Sequence, residues 1–126
     1  MIDRPSILIV DDEPAAREVL TISLEAAGYV VAAASDGPEA LALIVEARPD
    51  AILTDIHMPR MDGDELAARL RQMFADKCPP VVIATADQRV AAQLKEDDRF
   101  FAVLEKPLNP NRLLHVIEQA VDSRPN

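Results

Sequence analysis

Four short apolar runs in this chain each lead into a residue able to do chemistry. Ile7-Leu8-Ile9-Val10 runs into Asp11-Asp12, and Ala51-Ile52-Leu53-Thr54 into Asp55. Val81-Val82-Ile83-Ala84 ends on Thr85, and Phe101-Ala102-Val103-Leu104-Glu105 runs into Lys106. Short, flanked apolar runs read as buried parallel strands. In an open α/β sheet the carboxyl ends of such strands border the ligand crevice. The spacing therefore predicts one crevice holding three carboxylates, one hydroxyl and one ammonium. Crowded carboxylates repel unless a cation or a lysine neutralises them. A hard cation with oxygen ligands suits them best: Mg²⁺, with Mn²⁺ able to substitute.

The elements that must position these residues alternate along the chain. Strands are expected over Ser6–Val10, Tyr29–Ala33, Ala51–Thr54, Val81–Thr85 and Phe101–Glu105. Helical patterns lie between them. Pro14–Ala27 places Ala16, Val19, Leu20, Leu24 and Ala27 on one face, and Gly28 ends it. Pro38–Ala47 stacks Ala40, Leu41, Ile44 and Val45 before Arg48-Pro49 stops it. Asp62–Phe74 carries a stripe of Leu66, Ala67, Leu70, Met73 and Phe74. Gln88–Glu96 is weak, with Val90, Ala91 and Leu94 as core candidates. A fifth helix opens at the cap Asn109 with Pro110 in its first turn, and turns Leu113, Leu114, Ile117, Ala120 and Val121 inward. Five strand–helix repeats mean a parallel sheet covered on both faces. Right-handed crossovers at this length favour the flavodoxin-like, doubly wound order 2-1-3-4-5.

The bulk numbers agree with one such domain over residues 1–126, ending in a polar tail at about 123–126. A length of 126 residues with 49% apolar content supports one packed core. No apolar run reaches membrane-spanning length, and Met1–Pro5 lacks the apolar core of a signal peptide. The expected setting is cytoplasmic, with no membrane partner. A net charge of −9 argues against direct nucleic-acid binding. Cys78 is the single cysteine, so no intrachain disulfide can form, and it reads as an inert, half-buried or surface thiol.

Taken in order, these residues resemble the receiver domain of two-component response regulators. The match consists of Val10-Asp11-Asp12-Glu13, Asp36-Gly37, Asp55 with Met58-Pro59-Arg60-Met61-Asp62-Gly63, Thr85-Ala86 and Lys106-Pro107, and it spans about Ile7 to Val121. The resemblance implies that Asp55 is a phosphoacceptor, charged from a phosphohistidine on a sensor histidine kinase or a histidine phosphotransfer protein. It implies that Asp11, Asp12, Asp55 and the backbone carbonyl of His57 hold Mg²⁺. Thr85 would donate to a phosphoryl oxygen, and Lys106 would pair with Asp55 or the phosphoryl group. Both roles are electrostatic stabilisation. In this family the Lys-Pro bond is typically cis, and the positions of His57 and Asp87 influence how long the phosphoryl group survives. The pair is therefore a candidate tuner of autodephosphorylation.

The chain also departs from that pattern. Val103 stands where receivers usually carry Tyr or Phe, and a short side chain stiff at χ1 cannot bury and expose a ring. Phe100 or Phe101 are the candidates to substitute in space. The usual Gly-Ala before the fifth strand is replaced by Lys95-Glu96-Asp97-Asp98-Arg99, and Leu108 stands where Phe is common. The catalytic half of the pattern is intact and the output half is unusual. The leading expectation is a signalling module, catalysing only its own phosphorylation and dephosphorylation, with no output domain in this chain. An unidentified output protein, or a second copy in a homodimer, would read the face of the fourth helix, fifth strand and fifth helix. Two other readings compete: a docking-only receiver, and a Mg²⁺-dependent phosphohydrolase with an Asp nucleophile. The second lacks the Asp-x-Asp of haloacid-dehalogenase-like enzymes, since Asp55-Ile56-His57 stands there. A flavodoxin-like cofactor binder is weaker, because no phosphate-cradling loop is present.

Overall fold

The computed structural model describes residues 4–125. Met1–Asp3, part of the start read above as lacking a signal peptide, and Asn126, the end of the polar tail, lie outside the described residues. Five parallel strands form one sheet in the order 2-1-3-4-5: β1 (Ser6–Val10), β2 (Val30–Ala34), β3 (Ala51–Thr54), β4 (Val81–Thr85) and β5 (Ala102–Glu105). Five helices connect them: α1 (Pro14–Ala26), α2 (Gly37–Glu46), α3 (Gly63–Phe74), α4 (Gln88–Leu94) and α5 (Pro110–Asp122). This is the flavodoxin-like arrangement that the alternation predicts.

Strand residues alternate between two cores. Ile7, Ile9, Leu53, Val82, Ala84 and Leu104 meet Leu20 and Leu24 of α1, and Leu113, Val116 and Ile117 of α5. On the other face, Leu8, Val10, Ile52 and Ile83 meet Ala40 and Ile44 of α2 and Leu66, Ala67 and Leu70 of α3. The shorter α4 adds only Val90 and Leu94 at the edge of that second core, and Ala91 is its one buried residue. Parallel strands covered on both faces must be apolar throughout, and β3 and β4 are buried at every position.

Several boundaries and faces differ from the sequence reading. β2 begins at Val30 because the Tyr29 N–H donates to the Leu24 carbonyl, closing α1 over Gly28 at φ +101°. β5 begins at Ala102 and α4 stops at Leu94. Val19 and Val45, expected inside, are 62% and 71% exposed; Met73 and Ala27 are also exposed. The inward stripes of α1 and α2 are therefore narrower than their apolar content. A 3-10 turn at Ala75–Lys77 follows α3, entered through Ala75 at φ +51°. No helix of the described residues is long and apolar enough to cross a membrane.

Candidate functional site

The strand register brings the ends of β1, β3 and β5 to one side of the sheet. Val10 pairs with Thr54, and Thr85 with Glu105, so Asp11, Asp55 and Lys106 each start the turn beyond a strand. Backbone bonds hold these turns: Asp11 N–H to the Ala34 carbonyl, Asp55 N–H to the Val10 carbonyl and Lys106 N–H to the Thr85 carbonyl, the last at 2.8 Å. The Lys106 ammonium then spans two carboxylates, donating to Asp11 Oδ2 at 2.9 Å and to Asp55 Oδ2 at 3.0 Å. Asp11 is 3% exposed. Burial works against the Lys106 charge, but hydrogen bonds to Asp11 and Asp55 outweigh it and hold the ammonium above its ordinary value. The Lys106-Pro107 peptide is cis, as the resemblance implied.

The remaining oxygens of this pair are taken up by backbone. Asp55 Oδ1 accepts from the His57 N–H at 3.2 Å, and Asp11 Oδ1 from the Glu13 N–H at 3.0 Å. Arg17, which the sequence reading passed over, donates to the Asp11 carbonyl at 2.8 Å. The available signal was a cation one turn into the helix after an acidic loop. Asp12 is exposed. Among the described residues, no three acidic, His or Cys side chains converge as a ready-made metal cage.

The loop after β3 is fixed by close packing at two glycines. A Cβ at Gly63 would lie 2.7 Å from Ile56 Cδ1 and 3.2 Å from the Asp55 carbonyl oxygen. The Gly63 N–H donates to the Ile56 carbonyl, and Asp62 caps α3 through the Glu65 N–H. A Cβ at Gly37 would lie 2.6 Å from Met61 Cβ. Arg60, at φ +71°, pairs with Asp36 at 3.5 Å. The Asp36-Gly37 pair thus supports the loop that carries Asp55.

On the other side, His57 Nε2 meets Asp87 Oδ2 at 3.3 Å. Asp87 also caps α4, accepting from the Arg89 and Val90 N–H groups. The Val90 N–H, then the His57 ring, hold its carboxyl below the usual value. Thr85 is buried, and its Oγ1 accepts from the Asp87 N–H at 3.1 Å, which leaves its own proton to donate. Val103 packs at the edge of the second core and lines a pocket of about 320 Å³ with Leu108 and Leu113. Neither Phe100 nor Phe101 substitutes there. Phe100 is buried beneath the Arg99 guanidinium, and Phe101 bonds to Val81 at the opposite end of β4.

Fold and site together define a parallel α/β signalling module with an acidic pocket closed by a lysine at its strand ends. The model of the response regulator receiver domain matches residues 7–118, and the chain belongs to that family, the receivers of two-component response regulators. An uncharacterized 14.6 kDa protein of Leptolyngbya boryana is 35% identical over 120 residues, covering 90% of this chain and 87% of that one. Response regulator MprA of Mycobacterium sp. strain KMS is 46% identical over 88 residues, covering 70% of this chain and 37% of MprA. The chain therefore corresponds to well under half of MprA. The chemotaxis response regulator CheY4 of Vibrio cholerae superposes with a TM-score of 0.84 at 33% identity, covering 94% of this chain and 99% of that one. TrrA of Thermotoga maritima, in complex with Mg²⁺-BeF, superposes with a TM-score of 0.82 at 29% identity, covering 92% and 98%.

Proposed function

We propose that Asp55 is the phosphoacceptor of this receiver and that the chain is a single receiver domain acting in the cytoplasm. The observation that carries this reading is the Lys106 ammonium bridging Asp11 and Asp55. Each Asp55 oxygen has one hydrogen-bond donor, the His57 N–H on Oδ1 and the Lys106 ammonium on Oδ2. A carboxylate oxygen attacks the phosphorus of a phosphohistidine on a sensor kinase or phosphotransfer protein. The P–O bond forms as the P–N bond breaks, and the electron pair leaves on the donor's imidazole. Lys106 and the Thr85 hydroxyl stabilise the charge on the equatorial oxygens.

A divalent cation supplies charge neutralisation to this transfer when bound, and Asp11, Asp12, Asp55 and the His57 carbonyl would hold it. Mg²⁺ commonly takes one or two carboxylates and completes its shell with water and phosphate oxygens. A site without a three-carboxylate cage fits that habit. The His57–Asp87 bridge spans from the Asp55 loop to the cap of α4, and is placed to control water access to the aspartyl-phosphate. Phosphorylation shifts an existing equilibrium of the α4–β5–α5 face, which an output protein reads. The chain catalyses only its own phosphorylation and dephosphorylation.

Intact mass after incubation with Mg²⁺ and a small phosphodonor tests the central claim. One phosphoryl group should appear on the wild type, none on Asp55→Asn, and none after prior chelation. Labelling that persists in Asp55→Asn would assign the acceptor elsewhere. His57→Ala should change the lifetime of the adduct, and an unchanged lifetime would remove the bridge from the mechanism.

A further inference from the structure

The loop from β1 into α1 carries both Asp11 and Asp12, yet the helix that follows starts without a side-chain cap. Glu13 stands at the N-cap position and its side chain caps nothing. Pro14 opens the helix and has no N–H to give. Where a chain turns, a carbonyl often accepts from the N–H three residues on. Three residues after Asp11 stands Pro14, so the Asp11 carbonyl lacks that donor. Arg17 supplies one. Its half-buried guanidinium reaches back and donates through Nη1 at 2.8 Å, the one side-chain hydrogen bond that Arg17 makes among the described residues. The backbone of Arg17 is itself fixed, its N–H donating to the Glu13 carbonyl at 3.1 Å.

Asp11 is thereby held at every polar atom. Its N–H donates to the Ala34 carbonyl, Oδ1 accepts from the Glu13 N–H, Oδ2 from Lys106, and the carbonyl from Arg17. Asp12 is the opposite case. It is exposed, and its carboxylate takes no hydrogen bond or ion pair among the described residues. The Asp11 carbonyl and the Asp12 N–H belong to one planar unit. Fixing that carbonyl fixes the plane, and with it the direction from which the Asp12 side chain departs.

We propose that Arg17 is a positioning residue for the cation site, and that its hold on the Asp11 carbonyl sets the aim of the Asp12 carboxylate toward Mg²⁺. The inference rests on the receiver reading above and adds to it a residue that does not touch the ion. Groups that orient a metal ligand from behind ordinarily matter about tenfold or more in metal affinity. Arg17 also acts in a second way, with the opposite sign. A guanidinium beside a cation site repels the ion, so loss of its charge alone tightens binding. Positioning and charge are therefore told apart by the direction of the change.

Titration of the full chain with Mn²⁺, followed by the paramagnetic resonance signal of the free ion and competed by Mg²⁺, tests the proposal. Arg17→Met removes both the donor and the charge, and should bind either ion about tenfold more weakly than wild type. Arg17→Lys keeps the charge and a donor on a shorter stem, and should fall between the two. Binding by Arg17→Met that is unchanged or tighter overturns the proposal, since charge alone then describes the residue. Labelling of Asp55 by a small phosphodonor gives a second readout. Such a donor uses no protein docking face, so a contact of Arg17 with a partner does not register in it. In Arg17→Met the Mg²⁺ concentration for half-maximal rate should rise about tenfold, while the rate at saturating Mg²⁺ stays within about twofold of wild type. A lower saturated rate with no shift in Mg²⁺ dependence means a general loss of structure and overturns the positioning role. A wild type that binds neither ion, or takes no phosphoryl group on Asp55, counts against the receiver reading and removes this inference with it. A wild type that does both, beside an Arg17→Met variant of unchanged affinity, counts against this inference alone.

Discussion

Lys106 sets the balance of charge at the strand ends. Removing one partner from a buried ion pair typically costs about 3–5 kcal/mol, because a charge is left uncompensated. Here the Lys106 side chain is 22% exposed, so solvent recovers part of that cost. Lys106→Met is therefore expected to lose about 2 kcal/mol at neutral pH by urea unfolding. The alkaline limb has a definite sign. The folded-state value of Lys106 lies above the unfolded one, so its contribution is fully present below the ordinary ammonium value. That contribution is lost as pH rises through the higher folded value. Wild type should lose stability more steeply than Lys106→Met above about pH 10.5. Parallel slopes there would show that the ammonium adds nothing beyond a solvated lysine.

Among the elements, the loop from β3 into α3 depends on Gly63. Replacing a helical glycine by alanine ordinarily gains about 1 kcal/mol of helix propensity. At this position the added Cβ meets Ile56 Cδ1 at 2.7 Å and the Asp55 carbonyl oxygen at 3.2 Å. Overpacking of that kind costs about 1–3 kcal/mol, so the steric penalty outweighs the gain. Gly63→Ala should be less stable by about 1 kcal/mol and should be phosphorylated more slowly on Asp55. A more stable variant with unchanged labelling would mean that the loop yields freely. These contacts also mark the limit of what could be read from the chain. Apolar runs followed by Asp, Thr or Lys disclosed the strands, their ends and the residues at those ends. The packing of Gly63 on Ile56 and of Gly37 on Met61 is tertiary and leaves no periodic trace. The exposure of Val19 and Val45 was hidden for the same reason, since helical spacing does not reveal how wide a stripe the neighbouring elements cover. Tyr29 read as strand from its type, but its N–H is taken by the end of α1.

Over the whole molecule, stability is distributed unevenly, and the distribution suits a switch. α5 has thirteen residues and buries Leu113, Val116, Ile117, Ala120 and Val121, whereas α4 has seven and buries Ala91 alone. Segments with few buried contacts open at low free-energy cost. α4 is held at its start by the Asp87 cap, and Asp87 reaches both the His57 ring and Thr85 Oγ1. A change at Asp55 that engages the Thr85 hydroxyl therefore acts first on the helix least able to resist it. Amide hydrogen exchange should be faster over Gln88–Leu94 than over Pro110–Asp122 in the unmodified protein. With Mg²⁺ and beryllofluoride, the amides from Thr85 to Leu94 should change protection most, and those of α1 least. The largest change in α1 or α5 would mean that the signal leaves the site by another route, because each of those helices buries more side chains than α4 and would need a stronger push to move.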